Sequence, residues 1–132
     1  MGIFGSAPKV VIAEDNIALA EIYKTRLELI GYKPICAYDG KSALEIIEKE
    51  RPSLVLLDLM MPIMSGDQVL EQIRKSEWGE DIKVLIISNI NEADAPAGIR
   101  ENGIEGYAVK ANLAYDDLDR LVNDILKPPS VE

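Results

Sequence analysis

The chain contains no histidine and only one cysteine among its 132 residues. The missing histidine excludes histidine-based general base catalysis and histidine-ligated zinc or iron sites. The single cysteine, Cys36, excludes an internal disulfide, and its place in a short apolar segment is typical of a buried residue in a reducing compartment. Any chemistry at this protein therefore depends on carboxylates, hydroxyls and lysine.

Basic residues and long apolar runs are also scarce. The chain has 14 lysines and arginines against 23 aspartates and glutamates, which gives a formal net charge of −9. Binding to nucleic acid needs clustered basic residues that displace counterions, so this balance argues against direct nucleic-acid binding. No apolar run approaches the ~20 residues needed to cross a bilayer, and the first residues lack the pattern of a secretory signal. We therefore expect a cytoplasmic protein that does not insert into membranes.

Short apolar segments alternate with amphipathic helical segments along the chain. Continuous apolar runs are typical of strands buried on both faces, so the pattern predicts an α/β fold with a parallel sheet covered by helices on both sides. Right-handed crossovers favour a flavodoxin-like, doubly wound sheet of five strands in the order 2-1-3-4-5. The predicted strands are Lys9–Ala13, Lys33–Ala37, Leu54–Leu57, Val84–Ile87 and Tyr107–Val109.

Five helices are predicted, one after each strand. Side-chain oxygens of Asp15 or Asn16 and of Asp39 are suited to cap the first two helices. Helical spacing of apolar residues and the breakers that follow indicate where each helix ends. The predicted last residues are Ile30, Glu50, Lys75, a position near Gly103, and Leu126.

Polar residues follow four of the five predicted strands. Glu14 and Asp15 come after the first strand, Asp58 after the third, Ser88 after the fourth and Lys110 after the fifth. Ligands of such sheets bind beyond the carboxyl ends of the strands, so these side chains are predicted to converge at one edge. Asp58 is the most informative of them because it interrupts an apolar run, where an unpaired buried charge is costly.

Three carboxylates at one edge repel each other unless a cation lies between them. Mg²⁺ suits such a site because it binds few carboxylates, keeps several waters and accepts a phosphoryl oxygen as a ligand; Mn²⁺ is an alternative. Asp58 is then predicted to act as a nucleophile on phosphorus and form an aspartyl phosphate. Lys110 and Ser88 would neutralise or hydrogen-bond the phosphoryl oxygens.

From about Pro8 to Lys127, the sequence resembles the receiver domain of two-component response regulators. The motifs that carry the resemblance are, in order, VVIAEDN, LVLLDLMMPIMSG, VLIISN and GYAVK. The resemblance implies a phosphoacceptor signalling domain rather than an enzyme, with residues 9–127 as the receiver domain. We expect residues 1–8 to be a flexible N-terminal tail and residues 128–132 a C-terminal tail or the start of a linker.

The resemblance implies roles for the residues around Asp58. Asp58 would be phosphorylated by a sensor histidine kinase, a phosphotransfer protein or a small phosphodonor. Asp15 would bind the metal directly, Glu14 through water, and Met60 through its backbone carbonyl.

The resemblance also implies a switch. Lys110 would contact the phosphoryl group, while Ser88 and Tyr107 would form the switch pair, in which the hydroxyl moves toward the phosphoryl group and the ring turns inward. The surface that changes would comprise the predicted fourth helix, fifth strand and fifth helix. A downstream protein or a tethered output domain would bind there, and a homodimer formed on phosphorylation is a further expectation.

Two residues depart from the family pattern, and two more are expected to affect how fast the phosphoryl group is lost. Ala111 follows Lys110 where receivers usually have a proline behind a cis peptide bond; a cis bond before another residue costs ~3–4 kcal/mol, so a trans bond or a strained exception is expected. Asn89 replaces a very small residue and is predicted to narrow the site or hydrogen-bond the phosphoryl group. Met60 and Ile90 are apolar and cannot orient a water, which predicts slow self-dephosphorylation.

Three other functions share part of this pattern. A dehalogenase-like phosphatase needs a second acid two positions after its nucleophile, where this chain has Met60. A flavodoxin-like cofactor binder must cradle a phosphate in its first loop, where Glu14 and Asp15 would repel it, and the sequence has no G-x-G-x-x-G or P-loop motif. A pseudo-receiver that binds a partner without being phosphorylated stays open, with Ala111 and Asn89 in its favour.

Overall fold

The computed structural model describes residues 7–126 and has a five-stranded parallel sheet in the order β2-β1-β3-β4-β5, which confirms the predicted fold. Residues 1–6 and 127–132, with most of the first predicted tail and all of the second, lie outside the described residues. The elements are β1 Lys9–Ala13, α1 Ile17–Leu29, β2 Lys33–Ala37, α2 Gly40–Glu50, β3 Leu54–Leu57, α3 Gly66–Lys75, β4 Lys83–Ser88, β5 Gly106–Val109 and α4 Tyr115–Leu126.

Side-chain caps begin the first two helices, as predicted. Asn16 Oδ1 accepts a hydrogen bond of 3.1 Å from the Leu19 N–H, and Asp39 Oδ1 accepts one of 2.7 Å from the Ser42 N–H. Each cap satisfies an N–H that has no partner inside its helix. No helix between residues 7 and 126 is both long and apolar enough to span a membrane.

The sheet separates two apolar layers. Helices α1 and α4 pack on one face, and helices α2 and α3 pack on the other. All four residues of β3 are buried because this central strand is covered on both sides. An ion pair of 2.6 Å between Arg26 Nη2 and Asp119 Oδ2 joins α1 to α4.

The connection between β4 and β5, residues 89–105, differs from the prediction and is called the β4–β5 segment below. The prediction was a loop through Pro96 followed by a short helix ending near Gly103. The structure has a 3₁₀ turn at Glu92–Asp94 within that loop, and in place of the helix a single turn closed by the Asn102 N–H on the Gly98 carbonyl at 2.9 Å. Pro96 holds the residue before it in an extended conformation, and Gly98 has a φ of +93°, so no α-helix forms across them. Residues 7–126 therefore contain four α-helices, and the predicted fifth helix corresponds to α4.

Candidate functional site

The register of the sheet places Glu14 beside Asp58. Strands β1 and β3 pair so that Ala13 lies opposite Leu57, and the Asp58 N–H continues the ladder with a 3.0 Å hydrogen bond to the Ala13 carbonyl. The next side chains along both strands therefore meet at the carboxyl edge of the sheet. Glu14 is 2% exposed and Asp58 is 4% exposed, so each carboxylate needs a partner in the protein or a bound cation.

Lys110 supplies one partner for both carboxylates. Val109 pairs with Ser88, so Lys110 emerges one residue beyond the end of β5 at the same edge. Its Nζ lies 2.5 Å from Glu14 Oε1 and 2.8 Å from Asp58 Oδ2. Burial by itself lowers the pKa of Lys110, but the hydrogen bonds to Asp58 and Glu14 outweigh it and the net shift is upward.

The pKa of Glu14 is raised, and the main cause is burial. Two donors oppose that shift: Lys110, and the Asn16 N–H, which donates to Glu14 Oε2 at 2.9 Å. Burial therefore favours the protonated form of this carboxyl group, while the hydrogen bonds from Lys110 and Asn16 favour its ionised form.

The peptide bond between Lys110 and Ala111 is trans, as is every peptide bond in the described part of the chain. A 3₁₀ turn at Lys110–Asn112, closed by the Leu113 N–H on the Lys110 carbonyl at 3.2 Å, follows the strand directly. The lysine reaches both carboxylates from this trans backbone.

Glu14, Asp15 and Asp58 together could hold a metal ion. One carboxylate oxygen from each lies within 4.8 Å of the others. Asp15 is exposed, whereas Glu14 and Asp58 are buried. Three carboxylates and the Lys110 ammonium leave a formal charge of −2. An all-oxygen donor set with that charge fits a hard divalent cation such as Mg²⁺.

The loop after β3 packs tightly around Asp58. The Met60 N–H donates to Asp58 Oδ1 at 3.1 Å, while the Met60 side chain is largely exposed. Gly66 begins α3 against this loop, and its N–H donates to the Leu59 carbonyl at 3.0 Å. A Cβ at Gly66 would lie 2.1 Å from the Asp58 carbonyl oxygen, so the close approach requires glycine.

Ser88 and Tyr107 meet through the backbone of Ile90. Ser88 is fully buried, and its Oγ accepts a hydrogen bond of 3.4 Å from the Ile90 N–H. The Tyr107 hydroxyl donates to the Ile90 carbonyl at 2.7 Å. Asn89, which follows Ser88 in the chain, is exposed. The link through Ile90 was not predicted, because a backbone contact leaves no mark on residue type.

The comparisons with known proteins agree on one family. The family model described as the response regulator receiver domain matches residues 10–123. The receiver domain of the Francisella response regulator 1452 is 30% identical in sequence, with a TM-score of 0.80, covering 89% of this chain and 95% of that one.

Two curated relatives share the name "Probable transcriptional regulator ycf27". The one from Cyanophora paradoxa is 38% identical over 120 residues, which are 90% of this chain and 48% of the relative. The one from Galdieria sulphuraria is 40% identical over 103 residues, 77% of this chain and 39% of the relative. The chain thus spans less than half the length of either relative. With its sheet order, its strand-end acids and the family match over residues 10–123, this chain belongs to the response regulator receiver domain family.

Proposed function

We propose that Asp58 accepts a phosphoryl group in two-component signalling, from a sensor histidine kinase, a phosphotransfer protein or a small phosphodonor. The observation that carries the proposal is the setting of the Asp58 carboxylate. It is 4% exposed at a strand end, pairs with the Lys110 ammonium and lies close to two further carboxylates. Carboxylates in such costly settings are common at functional sites, where the protein uses their charge.

The residues around Asp58 suit an in-line transfer. A carboxylate oxygen of Asp58 attacks phosphorus, and the new O–P bond forms as the bond to the donor's leaving atom breaks, with the electron pair staying on the leaving group. Lys110, already 2.8 Å from Asp58, is placed to follow the charge onto the phosphoryl oxygens. The buried Ser88 hydroxyl can turn from Ile90 to donate to one of those oxygens.

Mg²⁺, or Mn²⁺ in its place, would be held by Asp15, Asp58 and the Met60 carbonyl, with Glu14 acting through water. When bound, the ion would supply positive charge for the phosphoryl oxygens. Asp15, the exposed member of the cluster, would be the ligand nearest the incoming donor.

Transfer would change the surface formed by the β4–β5 segment, β5 and α4. If Ser88 Oγ moved toward a phosphoryl oxygen, as the switch requires, its 3.4 Å contact with the Ile90 N–H would lengthen, and the change would reach Tyr107 through the Ile90 carbonyl. A downstream protein or a tethered output domain would read that change, and two phosphorylated copies would pair through the same surface. The greater length of the two curated relatives named as transcriptional regulators supports a tethered domain in them.

Intact-mass measurement after incubation with Mg²⁺ and a small acyl-phosphate donor tests the proposal. One added phosphoryl group is expected, and it should be lost when the metal is chelated beforehand. Asp58→Asn should abolish the adduct, whereas Asp81→Asn, an exposed aspartate before β4, should keep it. An unmodified wild-type chain with both small donors and histidine kinases would contradict the proposal and favour a pseudo-receiver.

A further inference from the structure

The β4–β5 segment runs from the carboxyl ends of the strands back to their amino ends. It begins at Asn89, directly after β4 at the edge that carries Asp58, and it ends before Gly106, which pairs with Leu85 near the start of β4. Because β4 and β5 are parallel neighbours, this connection must run back along the length of the strands. Its two ends therefore have different neighbours.

Arg74, in the last turn of α3, holds the far end of the segment. Its Nε donates to the Asn102 carbonyl at 2.7 Å, and its Nη2 donates to the Gly103 carbonyl at 2.8 Å. A third bond of 2.8 Å runs from Nη1 to the carbonyl of Gly79, in the loop before β4. One side chain thus ties two connecting segments to the end of α3.

The chemistry of arginine suits this position. A guanidinium presents several N–H donors in one rigid plane, so it can serve three carbonyls at once, whereas a lysine ammonium is a single flexible point charge. Burial lowers the pKa of Arg74, while the more distant Glu105 and Asp81 oppose that shift. The charge is therefore placed for its hydrogen bonds to backbone carbonyls rather than for an ion pair.

The anchor is remote from the acidic site. Helix α3 starts at Gly66, against the backbone of Asp58, and Arg74 lies near its other end; its 10 residues span about 15 Å. Between the two ends, Ile99 is buried in the apolar layer that includes α3. The hydrogen bonds of Arg74 consequently do not involve Asp58, Ser88, Ile90 or Tyr107.

At the near end of the segment, Ile90 packs its side chain against the apolar core, and both of its backbone polar groups bond to residues of the proposed switch. Its N–H donates to Ser88 and its carbonyl accepts from Tyr107, the two residues of the proposed switch. A change at the switch would therefore release or move the Ile90 end while leaving the Arg74 bonds intact.

We propose that Arg74 is a positioning residue that fixes the C-terminal end of the β4–β5 segment. When Asp58 is phosphorylated, only the Ile90 end of the segment moves. The anchoring follows from the hydrogen bonds of Arg74, and the response to phosphorylation rests on the function proposed above. The end of the segment bound by Arg74 would stay in place, and the end at Ile90 would move on phosphorylation.

Amide hydrogen exchange measured on the whole chain tests both the anchoring by Arg74 and the response to phosphorylation. The reporters are the Asn102 N–H, bonded to the Gly98 carbonyl at 2.9 Å, and the Gly103 N–H, bonded to the Arg100 carbonyl at 3.0 Å. Without ligand, Arg74→Lys should speed their exchange by at least about tenfold, because the carbonyl-bearing turn loses its anchor. Arg74→Met, which keeps the apolar stem, should do the same, and both variants should retain the slow exchange of the β3 amides that marks a folded sheet.

Arg100→Lys is the matched control. Arg100 lies in the same segment, but its guanidinium is largely exposed and pairs with Glu92 on the surface. This variant should leave exchange at the two reporters within about twofold of the wild type, as expected for an exposed ion pair.

Mg²⁺ with beryllofluoride, which mimics a phosphoryl group on a carboxylate, tests the response. In the wild type, exchange should change around Asn89–Asn91 and stay constant at Asn102 and Gly103; in Arg74→Lys the change should spread to both reporters. Unaltered reporters in the unliganded Arg74 variants, or equal changes at both ends of the wild-type segment, would overturn the inference. A wild type in which beryllofluoride alters no amide near Asp58 would overturn the proposed function and the response, while the unliganded comparison alone decides the anchoring.

Discussion

The Tyr107 hydroxyl donates a 2.7 Å hydrogen bond to the carbonyl of Ile90, and this bond joins β5 to the start of the β4–β5 segment. The N–H of Ile90 donates in turn to Ser88 Oγ, at the longer distance of 3.4 Å. Hydrogen bonds weaken as they lengthen, so the contact with Ser88 is the one that gives way more easily. The backbone of a single residue, Ile90, thus connects a buried hydroxyl at the site to an aromatic ring on the neighbouring strand.

Tyr107→Phe should lower the free energy of unfolding by about 1 kcal/mol, because it removes a partly buried hydrogen bond and keeps the ring. Urea denaturation measures the change. Tyr38→Phe is the control, since the Tyr38 side chain is exposed and its hydroxyl makes a long 3.4 Å contact with Glu21. Equal losses in the two variants would contradict a structural role for the bond to Ile90.

Lys110→Met should slow phosphorylation by an acyl-phosphate donor by roughly 100-fold, the usual effect of removing a group that stabilises developing charge. It should also tighten Mg²⁺ binding by at least about tenfold, since the ammonium between Glu14 and Asp58 would no longer repel the ion. Titration with Mg²⁺ and intact-mass kinetics measure both effects. Lys75→Met, which removes an exposed lysine from α3, should change neither; weaker Mg²⁺ binding in Lys110→Met would contradict the arrangement.

Met60→Asn combined with Ile90→Glu should speed the loss of the phosphoryl group by at least about tenfold, because polar side chains at these two positions can orient the attacking water. The wild-type chain, with an exposed Met60 and a half-buried Ile90, should lose it slowly. Decay of the phosphorylated mass after donor removal gives the rates. Ile63→Asn, on the same exposed loop as Met60, is the control, and an unchanged decay in the double variant would show that these side chains do not set the lifetime.

Gly66→Ala should destabilise the fold by about 2 kcal/mol, since the added methyl would overlap the Asp58 carbonyl and push the loop away. Phosphorylation should slow as well, because the loop positions Asp58. Gly31→Ala offers a contrast: Gly31 has a φ of +101° with open space around it, so only backbone strain of about 1 kcal/mol is expected there. Thermal unfolding and phosphorylation rates separate the two, and a Gly66→Ala protein with unaltered phosphorylation would argue against the packing described here.

Asp39→Asn tests the cap of α2 through pH. The backbone N–H and then the hydroxyl of Ser42 hold the pKa of Asp39 below its usual value. A folded-state pKa below the unfolded value stabilises the fold above the unfolded pKa of ~3.9, and that stabilisation is lost as the pH falls through the folded value. The wild type should therefore be more stable than Asp39→Asn at pH 7, and the gap should close below about pH 4. A gap independent of pH, in urea denaturation at both ends of this range, would rule out the charge as its source.

Much of the fold is readable from residue patterns. Strands β1, β2 and β3 have the predicted bounds because their continuous apolar runs stop sharply at charged residues or turns. The caps at Asn16 and Asp39 are local, since each oxygen bonds an N–H three residues away. The candidate site follows from the same pattern, because polar residues after parallel strands share one edge once the strand order is known.

Other features depend on contacts between distant residues and were decided only by the tertiary structure. Lys110 reaches Glu14 and Asp58 through the register of β4 and β5, and the β4–β5 segment fails to become a helix because Pro96 and Gly98 interrupt it while Ile99 is drawn into the core.

The sequence by itself determined the strand order, the caps and the residues of the acidic site. Only the tertiary structure decided that Ile90 links Ser88 to Tyr107 and that Arg74 anchors the far end of the segment. The physical reason is that both links end on backbone carbonyls, which every residue carries alike and which only folding brings within reach of a particular donor.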